Sequence, residues 1–163
     1  MERWVSSIAA LLLAASASAG PGVDIGQLAR DYAALEKRAA QPAAMVLVSF
    51  SMPAASLRQL AADAADAGIV LVLNGLHQRS MQQTARIISQ IDPHAAAIWQ
   101  IDPRQFEKHA VQAVPLFLVS DGTDHAAVRG DVSLAYALQQ IAGHRSDSKL
   151  GNYASQLRTR LIR

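Results

Sequence analysis

No cysteine occurs in the 163 residues. Its absence excludes thiol nucleophiles, disulfide exchange and cysteine-ligated metals, and it leaves stability to the packed core alone. Histidines are scattered: His77, His94, His109, His125 and His144 offer no pair at metal-ligand spacing. A glycine-rich phosphate loop is missing too, since Asn74-Gly75-Leu76 lacks the lysine and the further glycines that would cradle a phosphate. No metal or other cofactor is therefore expected. Charge is nearly balanced, 15 Lys and Arg against 13 Asp and Glu, so nucleic acid is not an expected partner. Past the first twenty residues no run is long and apolar enough to cross a membrane, and no repeat or low-complexity segment is found.

The chain opens like an exported protein. Met1-Glu2-Arg3 is charged, Ile8 to Ala15 is apolar but too short to span a bilayer, and Ala17-Ser18-Ala19 puts small residues where a signal peptidase reads. Cleavage is expected after Ala19; an uncleaved anchor is the alternative. Residues 20–163 are enough for one domain with a real core.

Asp24 to Ala40 reads as an amphipathic helix with Asp24 as its cap and Ile25, Leu28, Tyr32 and Leu35 on one face. Gln41-Pro42 stops it. This helix could pack on its own domain or serve as an arm for a partner. Met45 to Phe50 is an uncharged run expected as a strand. Pro53 opens a helix to about Ala67, with Leu57, Leu60, Ala61 and Ala64 inward and Gly68 as its stop. Ile69 to Leu73 is a second buried strand, Ser80 to Gln90 a helix, and Ala97 to Ile101 a third, short strand. Asp102-Pro103 caps and starts a short helix anchored by Phe106.

Two stretches organise the rest. In Val111 to Val119 a proline stands just before an apolar run, where its missing N–H can be tolerated at a strand start. That run and Met45 to Phe50 are expected to lie side by side, with Pro115 facing the turn at Ser51 to Pro53. Asp121-Gly122 then turns the chain into an edge strand, Ala126 to Arg129, and a core helix follows with Leu134, Leu138 and Ile141 inward. After Gly143, Ser146 to Arg163 carries Lys149, Arg158, Arg160 and Arg163 on a segment where Leu150, Tyr153, Leu157 and Leu161 recur at helical spacing. This basic tail helix could lie on its own domain, stay loose, or meet an outside surface; membrane contact is not expected from so few basic residues.

Alternating strands and helices argue for an α/β mixed sheet with helices on both faces. The order resembles the thioredoxin fold. Val46 to Phe50 followed by Ser51-Met52-Pro53-Ala54 looks like that fold's active-site strand and turn, with Ser51 and Ala54 where thioredoxins have cysteines. Ile101-Asp102 and the stretch from His109 to Pro115 look like its second half, and the resemblance implies a cis Val114–Pro115 bond. The block from Asn74 to Ala96 resembles the helical insertion of periplasmic disulfide isomerases. A narrower likeness comes from Phe50-Ser51-Met52-Pro53, Gly75-Leu76, Gln100-Ile101-Asp102-Pro103 with Phe106, Ala113-Val114-Pro115 and Gly130-Asp131-Val132-Ser133-Leu134. In this order they resemble the TrbC family, over about Met45 to Ala142. The resemblance implies a periplasmic, non-enzymatic assembly factor for a conjugative pilus, part of a type IV secretion system, whose partners are other transfer and pilus-assembly proteins. The expected layout is a signal peptide over 1–19, an N-terminal helix and linker over 20–42, a thioredoxin-like domain over 43–143 and the basic tail over 144–163.

Serine has no accessible anion comparable to a thiolate, so Ser51 would need a base and a third orienting group to act as a nucleophile. His77 and His109 are bases by type only, and the alternative for Ser51 is a backbone cap at the helix start. What remains is binding. By resemblance, Val114 would present its backbone N–H and C=O to an extended peptide, beside Ser51, Met52, Pro53 and Pro115; methionine suits an adaptable surface. The same groove could serve a periplasmic chaperone, or Met52 and Pro115 could simply close the core.

Overall fold

A computed structural model describes Gly26, Gln27, Arg30 and residues 42–162. The signal peptide over 1–19, the Asp24 cap and most of the Asp24–Ala40 helix lie outside those residues. Gly26, Gln27 and Arg30 are helical and belong to a first unit, Met1–Lys37, while the sheet and its helices form the second, Arg38–Arg163.

In chain order the second unit runs β1 (Ala43–Val48), α1 (Ala54–Ala67), β2 (Val70–Leu73), a 3-10 turn (His77–Arg79), α2 (Met81–Ile91), β3 (Ile98–Ile101), α3 (Pro103–Lys108), β4 (Leu116–Ser120), β5 (His125–Arg129), α4 (Leu134–His144) and α5 (Lys149–Leu161). The five strands make one sheet in the order β3-β2-β1-β4-β5. β1 runs parallel to β2, and β2 to β3, whereas β4 is antiparallel to both β1 and β5. Leu47 in the centre thus pairs with Val72 on one side and Leu116 on the other. Val114–Pro115 is cis. Sheet order, the mixed directions and that proline before β4 make the thioredoxin-like arrangement, and α2 fills the expected insertion between β2 and β3.

Strand alternation sorts the core into two faces. Val46, Val48, Leu71, Leu73, Phe117 and Val119 pack with α1, α4 and α5. Leu47, Val72, Leu116 and Leu118 pack on the other face with Phe106 of α3. Local chemistry fixes the element ends. Asp102 accepts the Arg104 N–H at 3.2 Å as the cap of α3, with Pro103 in its first turn. Gly68 ends α1 in the left-handed region at φ 71°, where an L side chain is disfavoured. The first strand is displaced two residues from the expected Met45 to Phe50: it starts at Ala43 and stops at Val48, because Ser49 begins a tight turn in which its carbonyl accepts the Met52 N–H at 3.1 Å.

The basic segment after Gly143 lies on its own domain. Leu150, Ala154 and Leu157 of α5 are 2% exposed or less and join the core of α1 and α4, while Lys149, Asn152, Gln156 and Arg160 line a groove with Pro42. Ser148 caps the helix by accepting the Gly151 N–H at 3.2 Å. Burying Leu150 and Leu157 contributes about 1.5–3 kcal/mol each. Arg160 reaches across to donate to the Ala67 carbonyl at 3.0 Å, satisfying an end group of α1.

Candidate functional site

The antiparallel pairing of β1 and β4 brings the 49–52 turn against the loop that carries Pro115. Between them, α1 and the start of α4 is a cavity of about 290 Å³. Met52, Leu60, Pro115, Val132 and Leu134 give it an apolar lining; Ser56, Gln59, Ser133, Asp63 and Asp131 supply the polar part. The Pro115 carbonyl is already used, accepting the Gly130 N–H at 3.2 Å, which ties the two sides of the cavity together. Val114 is half-buried, its side chain packed on the second core. Among the described residues neither its N–H nor its C=O has a hydrogen-bond partner. Backbone groups left this way near the surface are available for pairing with another chain.

Of the residues expected to form the site, Met52 and Pro115 therefore share one groove, and the Val114 backbone flanks the proline. Pro53 is exposed at the head of α1. Ser51 is turned the other way, into a second cavity of about 530 Å³ that it lines with Ser49, Phe50, Asn74, Leu76 and His77. Its hydroxyl bonds to the Ser49 hydroxyl at 3.0 Å, and the Ser49 oxygen also accepts the Ser51 N–H at 3.2 Å. No imidazole is hydrogen-bonded to it. Nor does Ser51 cap α1: Pro53 holds that position, and no side chain accepts there.

His77 sits in that second cavity edge-on to Phe50, ring centres 5.9 Å apart. It is held by its backbone, which donates to the Thr84 hydroxyl at 2.8 Å, while that hydroxyl donates to the Ser80 carbonyl at 2.8 Å. Gln78 and Arg79 follow with φ of 49° and 57°, a left-handed pair that lacks glycine. His109 is elsewhere, ring to ring with His125 at 4.9 Å, its Nε2 buried without a partner among the described residues. Burial, then the charges of His125 and Lys108, push its pKa below the usual imidazole value. Among the described residues neither histidine is hydrogen-bonded to Ser51, although His77 shares its cavity.

Asp63 and Asp131 escaped the sequence reading. Asp131 was visible only as part of the Gly130-to-Leu134 motif, and Asp63 is a half-buried position flanking the buried stripe of α1 that nothing in the sequence singled out.

Comparison with known proteins adds the family. Residues 46–141 match the model of the type-F conjugative transfer system pilin assembly protein. The periplasmic protein TrbC of Escherichia coli (strain K12) is 26% identical over 119 residues, 72% of this chain. The match spans 56% of that protein's length. The structure of MTB dsbF in its mixed oxidized and reduced forms superposes with a TM-score of 0.46 at 17% identity, over 75% of this chain and 84% of the other. The family match runs from within β1 into α4 and takes in well over half of the chain, including both walls of the Met52–Pro115 groove, so this chain belongs to the TrbC family of type-F conjugative transfer pilin assembly proteins.

Proposed function

We propose that the chain acts in the periplasm as a non-enzymatic assembly factor for a conjugative pilus, holding an extended segment of another transfer protein in the Met52–Pro115 groove. The single observation that carries this is the Val114 backbone, unpaired among the described residues and adjoining Pro115 of a largely apolar groove. Such an edge recognises a peptide by main-chain hydrogen bonds, and the groove then reads the side chains. A binding role is further supported by the turn itself: Ser51 and Ala54 stand where a redox domain needs sulfur, and among the described residues no base is hydrogen-bonded to Ser51. The periplasmic name of the Escherichia coli relative supports the location; removal of a leader after Ala19 is part of the proposal and rests on Ala17-Ser18-Ala19.

The test is capture of the tagged protein from cells making the whole transfer apparatus. The expected result is one or two defined transfer proteins, lost when Met52→Gln is introduced. A broad set of unfolded exported proteins would favour a chaperone, and partners retained by Met52→Gln would move the binding surface elsewhere. Ser51→Ala is expected to leave pilus assembly unchanged; its loss would argue for chemistry at the turn.

A further inference from the structure

We infer that the Met52–Pro115 groove selects a lysine or arginine flanked by apolar residues in the segment it holds. The inference rests on the groove being the binding surface and concerns what that surface prefers. The chain as a whole carries a slight positive excess, yet both charged residues lining the groove are acids, Asp63 from α1 and Asp131 from the loop before α4. No Lys, Arg or His lines it. Among the described residues neither carboxylate is in an ion pair; Asp63 Oδ1 accepts the Gln59 Nε2–H at 2.8 Å.

Beside Ser56, Gln59 and Ser133, the rest of the lining is the apolar surface of Met52, Leu60, Pro115, Val132 and Leu134. A long basic side chain matches that combination, because its methylene stem lies along apolar surface while its head stays at a polar, hydrated position. Glutamate in the same place would meet two like charges. A volume of about 290 Å³ is also just below the roughly 300–1,000 Å³ of small-molecule pockets, which suits one side chain of a bound segment better than a separate ligand. The acids come from two different elements, so the preference would depend on both sides of the groove being in place.

Binding of short extended synthetic peptides to the full chain, read by fluorescence polarisation at low salt, tests this. The peptides share an apolar sequence and differ at one central residue: lysine, norleucine or glutamate. Lysine is expected to bind about two- to fivefold tighter than norleucine, with glutamate weakest, and the difference is expected to vanish in D63N/D131N. Lysine and norleucine binding equally well, with all binding lost in Met52→Gln, would overturn the charge preference and leave the groove standing. A lysine preference that survives D63N/D131N would place charge recognition elsewhere and overturn the inference. Peptide binding untouched by Met52→Gln would overturn the inference and the groove together.

Discussion

Gly151→Ala is expected to destabilise the protein, against what helix propensity alone would give. Gly151 lies in the first turn of α5, and an exposed glycine-to-alanine change inside a helix ordinarily gains up to about 1 kcal/mol. Here the added Cβ would fall inside contact distance of the Arg145 carbonyl oxygen and carbon and 3.2 Å from the Ser146 N. These are backbone atoms of the turn joining α4 to α5, so no flexible side chain can move aside. Two ways of relieving the clash set the size of the effect. If the turn and the first residues of α5 shift locally, overpacking costs about 1–3 kcal/mol, from which the propensity gain is subtracted. If α5 lifts from the core instead, the burial of Leu150 and Leu157 is forfeited at about 1.5–3 kcal/mol each. The net loss is therefore up to about 3 kcal/mol by the local route and about 2–6 kcal/mol if α5 lifts, read as a lower urea midpoint by far-ultraviolet circular dichroism. Asn152→Ala, exposed one residue on, serves as the control and is expected to be neutral or slightly stabilising. Gly151→Ala with a midpoint equal to or above that of the parent would refute the close approach of α5 to the Arg145 turn.

Three further expectations use the same unfolding assay. Asp92 accepts the N–H groups of Ala96 and Ala97 at 3.0 and 2.9 Å and the Trp99 indole at 3.4 Å, so Asp92→Asn is expected to cost about 1.5–3 kcal/mol. Burial raises the pKa of that carboxyl, but these donors and the His94 charge outweigh it and leave it low; stability it contributes is present above the unfolded value near 4 and lost as pH falls through the lower folded one, a dependence Asp92→Asn should flatten. His109 has a lowered folded pKa, so the unfolded chain takes up the proton first and stability falls as pH drops through about 6.5; His109→Phe should weaken that fall, and an unchanged pH profile would refute it. Arg160→Ala should cost about 0.5–1.5 kcal/mol through the lost bond to the Ala67 carbonyl, and no change would show that water replaces it without penalty.

Much of the fold was legible because it is written in local patterns. The uncharged runs at Met45 and Leu116 had to be buried strands, and Asp102-Pro103 and Gly68 carry capping chemistry within two or three residues. The first strand ended two residues early because Phe50 continues the apolar run, and only the Met52-to-Ser49 hydrogen bond shows the turn. The periodicity of Leu150 and Leu157 announced an amphipathic helix without saying what it packs on, since its other side carries the charge. Gly151 reads in the sequence as a weak point of that helix; its close approach to Arg145 is a tertiary fact. The groove was half legible. Met52 and Pro115 belong to recognisable turns, whereas Asp63 and Asp131 lie far apart in the chain and meet only because α1 and α4 pack on the same face of the sheet.

The tail and the groove are connected through α1. That helix supplies Ser56, Gln59, Leu60 and Asp63 to the groove, and its opposite end is fixed by Gly68 and by the Arg160 guanidinium of α5. Leu57, Ala61 and Ala64 of α1 lie in the same buried cluster as Leu150, Ala154 and Leu157 of α5. A protein without disulfides relies on such packing to hold one side of the proposed binding surface steady, and a surface already in place binds without paying to order itself. The residues matched by the family end at 141, before α5 begins. The tail then contributes to the groove without lining it: a substitution at Gly151 or Arg160 should weaken peptide binding only to the extent that it loosens α1.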